Sequence, residues 1–455
     1  MFVEEFKISH LFGYKDVEIT FAHPILILIG ENGFGKTTIL NALNYTLQGC
    51  YKELLDIKFD SIEIKVEGRL YGFSYAQLVE YNEYTHSDSD RHSLTEFLKN
   101  QLNPSEFETL CTLVSENRSQ IRDIIGNQVL KQLPDEVVFQ EIKNYLDREN
   151  RFGVFRSLKA HIESFNYNIL FKPTYRRVEA DLNAAFGRER RMGGRTVVEI
   201  DEDQQQNYAA KIIRFGMKDV QRMIARITDT IKMSSLQGFA KVSSDMIRHL
   251  LDDKTDAKTD LDLDIDSLRI ILGRTGDNLS DAEKDKFIRQ IENKKRQSNP
   301  YLIYFLEQLY NVYKHQEVFD TAIKKFRDVC NGYLKEKQFV YDESQVNLKI
   351  YRKPNGQPIA LKEENVVDLN NLSSGEKQIV SLFAQIYLDV DKKFVMLLDE
   401  PELSLSIYWQ EKLLSDIYES GRCVFMLAVT HSPFIFRKSM SEYVVGLQEF
   451  QKNRN

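Results

Sequence analysis

Cysteine is scarce in this chain. Cys50, Cys111, Cys330 and Cys423 are far apart in 455 residues, with no CxxC pair. That spacing supports neither a disulfide framework nor a zinc site. Long apolar runs are missing as well. No uninterrupted stretch approaches the ~18 residues a membrane helix needs, so no membrane partner is expected. The opening, MFVEEFKISHLFGYK, alternates and carries acids, unlike a signal peptide. These absences predict a cytoplasmic protein. An excess of one charge sign is also lacking: a net charge of −7 neither announces nor excludes nucleic-acid binding. Hydrophobic residues at 42% and charged residues at 28% are globular proportions. The length allows one large domain or roughly two to three ordinary ones.

What is present starts with FKISHLFGYKDVEITF, which reads as two short strands around a turn at Gly13. Ile25 to Ile29 then predict a buried strand. Ile39, Leu40, Leu43 and Leu47 recur at helical spacing. Between them lie Gly30, Glu31, Asn32, Gly33, Phe34, Gly35, Lys36, Thr37 and Thr38, the pattern G-x-x-x-x-G-K-T in a strand–loop–helix setting. The glycines let backbone N–H groups face the β- and γ-phosphates of a nucleotide with no side chain in the way. Lys36 brings a point charge to those phosphates, and the Thr37 hydroxyl suits a Mg²⁺ ligand. Thr38 either touches the α-phosphate or merely starts the helix. The plain alternative, a glycine-rich turn with a chance lysine, does not account for the flanking strand and helix.

A second cluster lies near the C-terminus. Phe394 to Leu398 predict another buried strand, ending in Asp399 and Glu400. Successive strand side chains point opposite ways, so two adjacent carboxylates take separate tasks. Asp399 can hold Mg²⁺, usually through a water, and Glu400 can orient and polarise an attacking water. Two solvated acids at a strand end are the alternative. A further strand in CVFMLAVTHSPFIF ends at His431, placed to reach a γ-phosphate or to serve as a structural histidine. Upstream, Ser373, Ser374 and Gly375 open a helix with Ile379, Leu382, Phe383 and Ile386 on one face. Its free N–H groups and dipole favour an anion. One nucleotide does not need two complete cradles. A pairing of two chains resolves this, each serine-glycine helix start closing on the other copy's P-loop-bound ATP.

This order of motifs resembles the ABC-class ATPases. Gly30 to Thr38 match Walker A, and Leu372 to Glu376 match the signature usually written LSGGQ. Phe394 to Glu400 match Walker B, with Glu400 as catalytic carboxylate. Glu402 to Leu405 occupy the dimer-facing D-loop, and His431 is the switch histidine. Ser374 replaces a usual glycine and Glu376 a usual glutamine; the glutamate form resembles SMC-like proteins rather than transporters. The resemblance implies ATP and Mg²⁺ as ligands and Ser373 and Gly375 as the phosphate-contacting signature positions. It implies an α/β fold: an ABC-type P-loop ATPase head with an N-terminal β-subdomain and a large helical, short coiled-coil insertion. The expected parts are residues 1–180, with the P-loop, an insertion at 181–335, and 336–455, with the signature, Walker B and switch histidine.

In the ABC class a strand from the first half delivers a glutamine. Here NILFKPTYRRVEADL has none at its end. Arg176 and Arg177 there could meet phosphate, a partner or acids of the same lobe. Residues 187–209 are glycine- and charge-rich and read as a mobile loop, solvated or touching nucleic acid. Two long helical patterns follow, without sustained strict heptads. The acidic stretch LDDKTDAKTDLDLDID does not fit a calcium loop, and residues 338–365 read as a hairpin with a Pro-Asn-Gly turn.

The whole chain resembles stand-alone ATPases of bacterial antiphage defence, relatives of the overcoming-lysogenization-defect family, including those of the PARIS and Septu systems and some retrons. That implies a sensor and scaffold that forms a homodimer or a higher homo-oligomer, detects a phage protein or nucleic acid, and controls a separate effector of the Toprim or HNH nuclease kind. The chain ends shortly after His431, with no Toprim nuclease expected in it. The alternative is a RecF- or SMC-like DNA repair ATPase that clamps DNA. A transporter subunit fits less well, because the glutamine is missing.

Overall fold

Alternating apolar residues in the first stretch give an antiparallel sheet with one buried face. β1 (Val3–Leu11), β2 (Lys15–Thr20), β4 (Ser61–Val66), β5 (Arg69–Ser74) and β14 (Gln451–Asn453) pair in the order β14-β2-β1-β4-β5. Phe6, Ile8, Val17, Ile19, Ile62 and Ile64 turn inward. The continuous apolar runs instead build a parallel sheet, as strands covered on both faces do. It contains β3 (Ile25–Ile29), β6 (Asn168–Lys172), β11 (Phe394–Asp399), β12 (Cys423–Thr430) and β13 (Val444–Gly446), in the order β13-β3-β12-β11-β6. The helix Lys36–Gln48 packs Ile39, Leu40 and Leu43 into one core with Val395, Leu397, Leu427 and Val429 of this sheet.

In this computed structural model the described residues are 1–31, 33–87, 94–116, 134–173, 189–192, 195–198, 216–252, 265–274, 280–292, 300–353, 359–403, 405–436 and 438–453. Asn32, Arg176, Arg177, Ser404 and the acidic stretch from residue 253 to 264 fall outside them, as does the Pro-Asn-Gly sequence. Among the described residues, no helix is long and apolar enough to cross a membrane.

The chain forms two compact units. Unit 1 is Met1–Thr174, Lys393–Pro401 and Cys423–Asn455; unit 2 is Tyr175–Lys392 and Glu402–Arg422. The chain thus crosses between them several times, because β11 and β12 insert beside strands from the N-terminal half.

Unit 2 is mainly helical. Its long members are Met217–Asp252 and Pro300–Asn331. At ~1.5 Å per residue the longer spans roughly 54 Å. They pack side by side through Phe239, Val242, Leu309, Val312 and Tyr313. Gly238 allows this approach: a Cβ there would lie 2.5 Å from Val312. A buried polar cluster ties these helices to the short helix Ile265–Gly273 and to strand β9 (Lys337–Asp342). Arg274 donates to both oxygens of Asp320 at 2.7 Å and to Gln316, and Tyr341 donates to Asp320. Gln316 in turn accepts from Ser235 and donates to Ser234.

Two expectations change. Residues 187–209, read as a loop, contain an antiparallel ribbon of β7 (Glu189–Met192) and β8 (Arg195–Val198). The β-branched run Thr196, Val197, Val198 after a Gly-Gly pair is the strand signal that the charges masked. The hairpin of β9 with β10 (Asn347–Arg352) does not turn at Pro-Asn-Gly, which follows β10. It turns after Asp342, whose Oδ1 accepts the N–H groups of Ser344 and Gln345. An aspartate holding the backbone beyond it is a turn device in its own right.

Candidate functional site

In open parallel sheets, ligands bind beyond the carboxyl ends of the strands. Here three adjacent strands deliver the candidate residues to one such edge. β12 lies between β3 and β11, with Thr430 level with Ile29 and Asp399 level with Val429. β3 runs into the glycine-rich loop, β11 into Asp399 and Glu400, and β12 into His431. Residues far apart in the chain therefore converge within unit 1.

The loop is shaped by backbone geometry. Gly33 and Gly35 take φ of 87° and 85°, a region where a Cβ is strained. Gly35 caps the helix that begins at Lys36, so the first N–H groups of Lys36, Thr37 and Thr38 face the loop. Lys36 is buried, and its ammonium donates to the carbonyls of Gly30 at 2.7 Å and Glu31 at 2.8 Å. It also lies 2.7 Å from His431 Nε2. Thr37 Oγ1 donates to Asp399 Oδ1 at 2.9 Å, which joins the first turn of the helix to the end of β11. Phe34 presents its carbonyl to the side-chain amide of Gln451.

Glu400 sits just past β11 with φ of 46°, in the left-handed region, while its N–H donates to the Val429 carbonyl at 2.8 Å. A non-glycine residue held there costs on the order of 1–3 kcal/mol, and such strain clusters at functional sites. Its Oε1 lies 3.5 Å from His431 Nε2. That nitrogen can accept from Lys36 or, protonated, donate toward Glu400; it cannot do both. The histidine therefore links the lysine and the glutamate.

Ser373, Ser374 and Gly375 lie in unit 2. Ser373 caps the helix Ser374–Tyr387: its hydroxyl accepts from the Glu376 N–H at 3.4 Å, and its own N–H donates to the Glu376 carboxylate at 2.7 Å. Ser373 and Ser374 are exposed, and Gly375 is buried. Lys337 of β9 binds both Glu376 oxygens at 3.0 and 2.8 Å. Burial would raise the Glu376 carboxyl, but Lys337 and the Ser373 N–H outweigh it and hold the pKa below the usual value. After β11, Gln410 donates to the carbonyls of Glu402 and Leu405.

Residues 1–436 match the AAA ATPase domain family. The chain belongs to that family. Its fold is mixed α/β, with a parallel sheet whose strand β3 runs into the glycine-rich loop, an N-terminal antiparallel sheet and a mainly helical second unit. Among curated proteins the chain is similar to the Retron Vc95 probable ATPase of Vibrio cholerae serotype O1 biovar El Tor, 24% identical over 187 residues. That match covers 39% of this chain and 35% of the relative, so the chain spans about a third of the relative's length. Among solved structures it is similar to the Smc head domain with an extended coiled coil bound to the C-terminal domain of ScpA from Pyrococcus furiosus. Identity there is 14%, coverage 95% of this chain and 90% of that one, and the TM-score 0.33. An Smc head domain with a coiled coil and joint from Pyrococcus yayanosii gives 14%, 95%, 93% and 0.29.

The structure adds residues that the motifs did not single out. Phe12 and Tyr14 are exposed aromatics on the turn between β1 and β2, and the Phe12 ring would meet a Cβ on Gly35 at 3.0 Å. The Lys15 ammonium lies 5.4 Å from the centroid of Tyr14 and 5.1 Å from that of Phe34. An apolar residue exposed in a tight turn was the sequence signal. Lys172 ends β6 at the same sheet edge, level with Leu398, and burial lowers its pKa to about 8. Pro173, not a glutamine, follows it in the chain.

Proposed function

We propose that this ATPase hydrolyses ATP at sites shared between two copies, with Lys36, Thr37, Asp399, Glu400 and His431 as the reacting half. The observation that carries this reading is their convergence at the ends of three adjacent parallel strands. Lys36 exchanges its Gly30 and Glu31 carbonyls and His431 for phosphate oxygens. The N–H groups from Gly33 to Thr38 line the same phosphates, and Phe12 and Tyr14 offer stacking faces to the base. Thr37 and Asp399 already share a hydrogen bond, and a hydroxyl beside a carboxylate is a hard-oxygen donor set that fits Mg²⁺. These two residues would hold the ion, which supplies charge neutralisation at the phosphates. Glu400 orients the attacking water and takes its proton. Once Lys36 turns to phosphate, His431 is available to the terminal phosphate and to Glu400.

The other half is the exposed start of the helix at Ser373. Its serine hydroxyls and helix dipole suit the triphosphate held by a second copy. Retron ATPase similarity supports a place in antiphage defence, in which the closed pair acts as sensor and scaffold for a separate nuclease effector.

The test is the Glu400→Gln chain purified with and without ATP and Mg²⁺, followed by native mass. The expected result is an ATP-dependent pair that persists because turnover is slow. Parental turnover in this variant removes Glu400 from its role, and a mass unchanged by ATP removes the shared site. Co-purification with the product of a neighbouring gene supports effector control; steeply salt-dependent duplex binding without such a partner would point to a DNA clamp instead.

A further inference from the structure

The helix start at Ser373 carries a built-in contradiction. An anion-binding helix end gains from backbone N–H groups and from positive charge. Yet Glu376 places a carboxylate in its first turn. Its two oxygens are held by the Lys337 ammonium, and one also takes the Ser373 N–H. Lys337 and Glu376 are both largely shielded, with side-chain exposures of 22% and 12%, so water screens the pair poorly.

Lys337 is also fixed in place. It opens β9, which follows directly from the long helix Pro300–Asn331. Asn331 donates to the Phe339 carbonyl at 2.9 Å and accepts its N–H at 2.7 Å. Further along the same strand, Tyr341 donates to Asp320 of that helix. The ammonium therefore rests on a strand fastened at two points, not on a loop.

We infer that Lys337 is a positioning residue for ATP hydrolysis: it cancels the Glu376 charge so that the Ser373 helix start can accept the triphosphate of a second copy. This rests on the shared-site reading above. Without the ammonium, a bare carboxylate would face the remaining negative charge of the triphosphate and would also be free to leave the capping position. ATP would still enter the P-loop of a single chain, but closure on it would fail.

Full-length chains carrying Lys337→Met, Lys337→Arg, and Lys337→Met with Glu376→Gln test this. Each is compared with the parent for ATP affinity at high dilution, for ATP-dependent pairing and for kcat, well below its melting temperature. The expected pattern is ATP affinity in the single chain within twofold of the parent for all three. Lys337→Met lowers kcat and pairing about tenfold or more. Lys337→Arg keeps most of both, and the added Glu376→Gln restores Lys337→Met to within about threefold. A neutral partner repairs a charge defect, whereas it does not repair a packing defect at β9. Failure of the double variant to recover, or a parental kcat in Lys337→Met, overturns the inference while the parent's ATP-dependent pairing leaves the shared site standing. A parent that shows no such pairing overturns both.

Discussion

Each unit contains a buried polar cluster, and the two are built differently. In unit 2, Arg274, Asp320, Gln316 and Tyr341 are matched donor to acceptor, and Arg274 and Asp320 have side-chain exposures of 3% and 1%. In unit 1, Lys36 leans on two backbone carbonyls and a histidine, Glu400 occupies a strained backbone region, and burial depresses Lys172. The first cluster has nothing to gain by rearranging. The second is made of contacts that a triphosphate can replace with better ones. A satisfied network specifies a structure, whereas a strained edge is preorganised for a ligand.

Substitutions can break that contrast. Glu400→Gln should cut ATP turnover about 10²- to 10⁴-fold, as loss of a positioned base does, with nucleotide binding retained and stability equal to or above the parent's. Comparable losses of binding and turnover would make Glu400 structural. Arg274→Met should cost about 3–5 kcal/mol in stability, because Asp320 is left buried without its cation. Denaturation of this variant at the parental midpoint would show that the unit 2 cluster is not a structural tie. Removing Asp320 as well, by Arg274→Met with Asp320→Leu, should recover much of that loss.

Lys172 gives the opposite sign. Its folded pKa of about 8 is below the ordinary lysine value of about 10.5. Below pH 8 the ammonium is charged in both states, and burial disfavours the folded one. Between pH 8 and 10.5 the folded chain releases the proton first, so that penalty fades as pH rises. Lys172→Met should therefore stabilise the protein by on the order of 2 kcal/mol at pH 7, with the gain shrinking as pH climbs through 8 toward 10.5. A gain constant with pH would place the cause in packing. Smallest, Ser373→Ala should cost about 1 kcal/mol through loss of the helix cap, read by chemical denaturation. No change in stability would mean that the Ser373 hydroxyl is not a working cap.

The site edge was legible because its parts are local. Strand, loop and helix around Lys36 announce themselves in one stretch, and apolar runs ending in Asp399-Glu400 and at His431 fix two more strand ends. That β12 lies between β3 and β11 was not readable, since parallel register depends on pairings between distant segments. Lys337 was equally hidden: nothing in its neighbourhood marks it as the partner of Glu376, 39 residues later. The turn at Asp342 was missed because Pro-Asn-Gly is the louder signal. The strain at Glu400 has no sequence mark, because any residue type can occupy an apolar strand's end.

Mixing two inactive chains tests the shared site most directly. A Lys36→Ala chain lacks a working P-loop, and a Ser373→Arg chain has a blocked helix start. Combined in equal amounts, half the pairs should be mixed and each should hold one complete site, giving about a quarter of the parental ATP turnover. Turnover no higher than that of the two chains measured apart would contradict a site built from two copies.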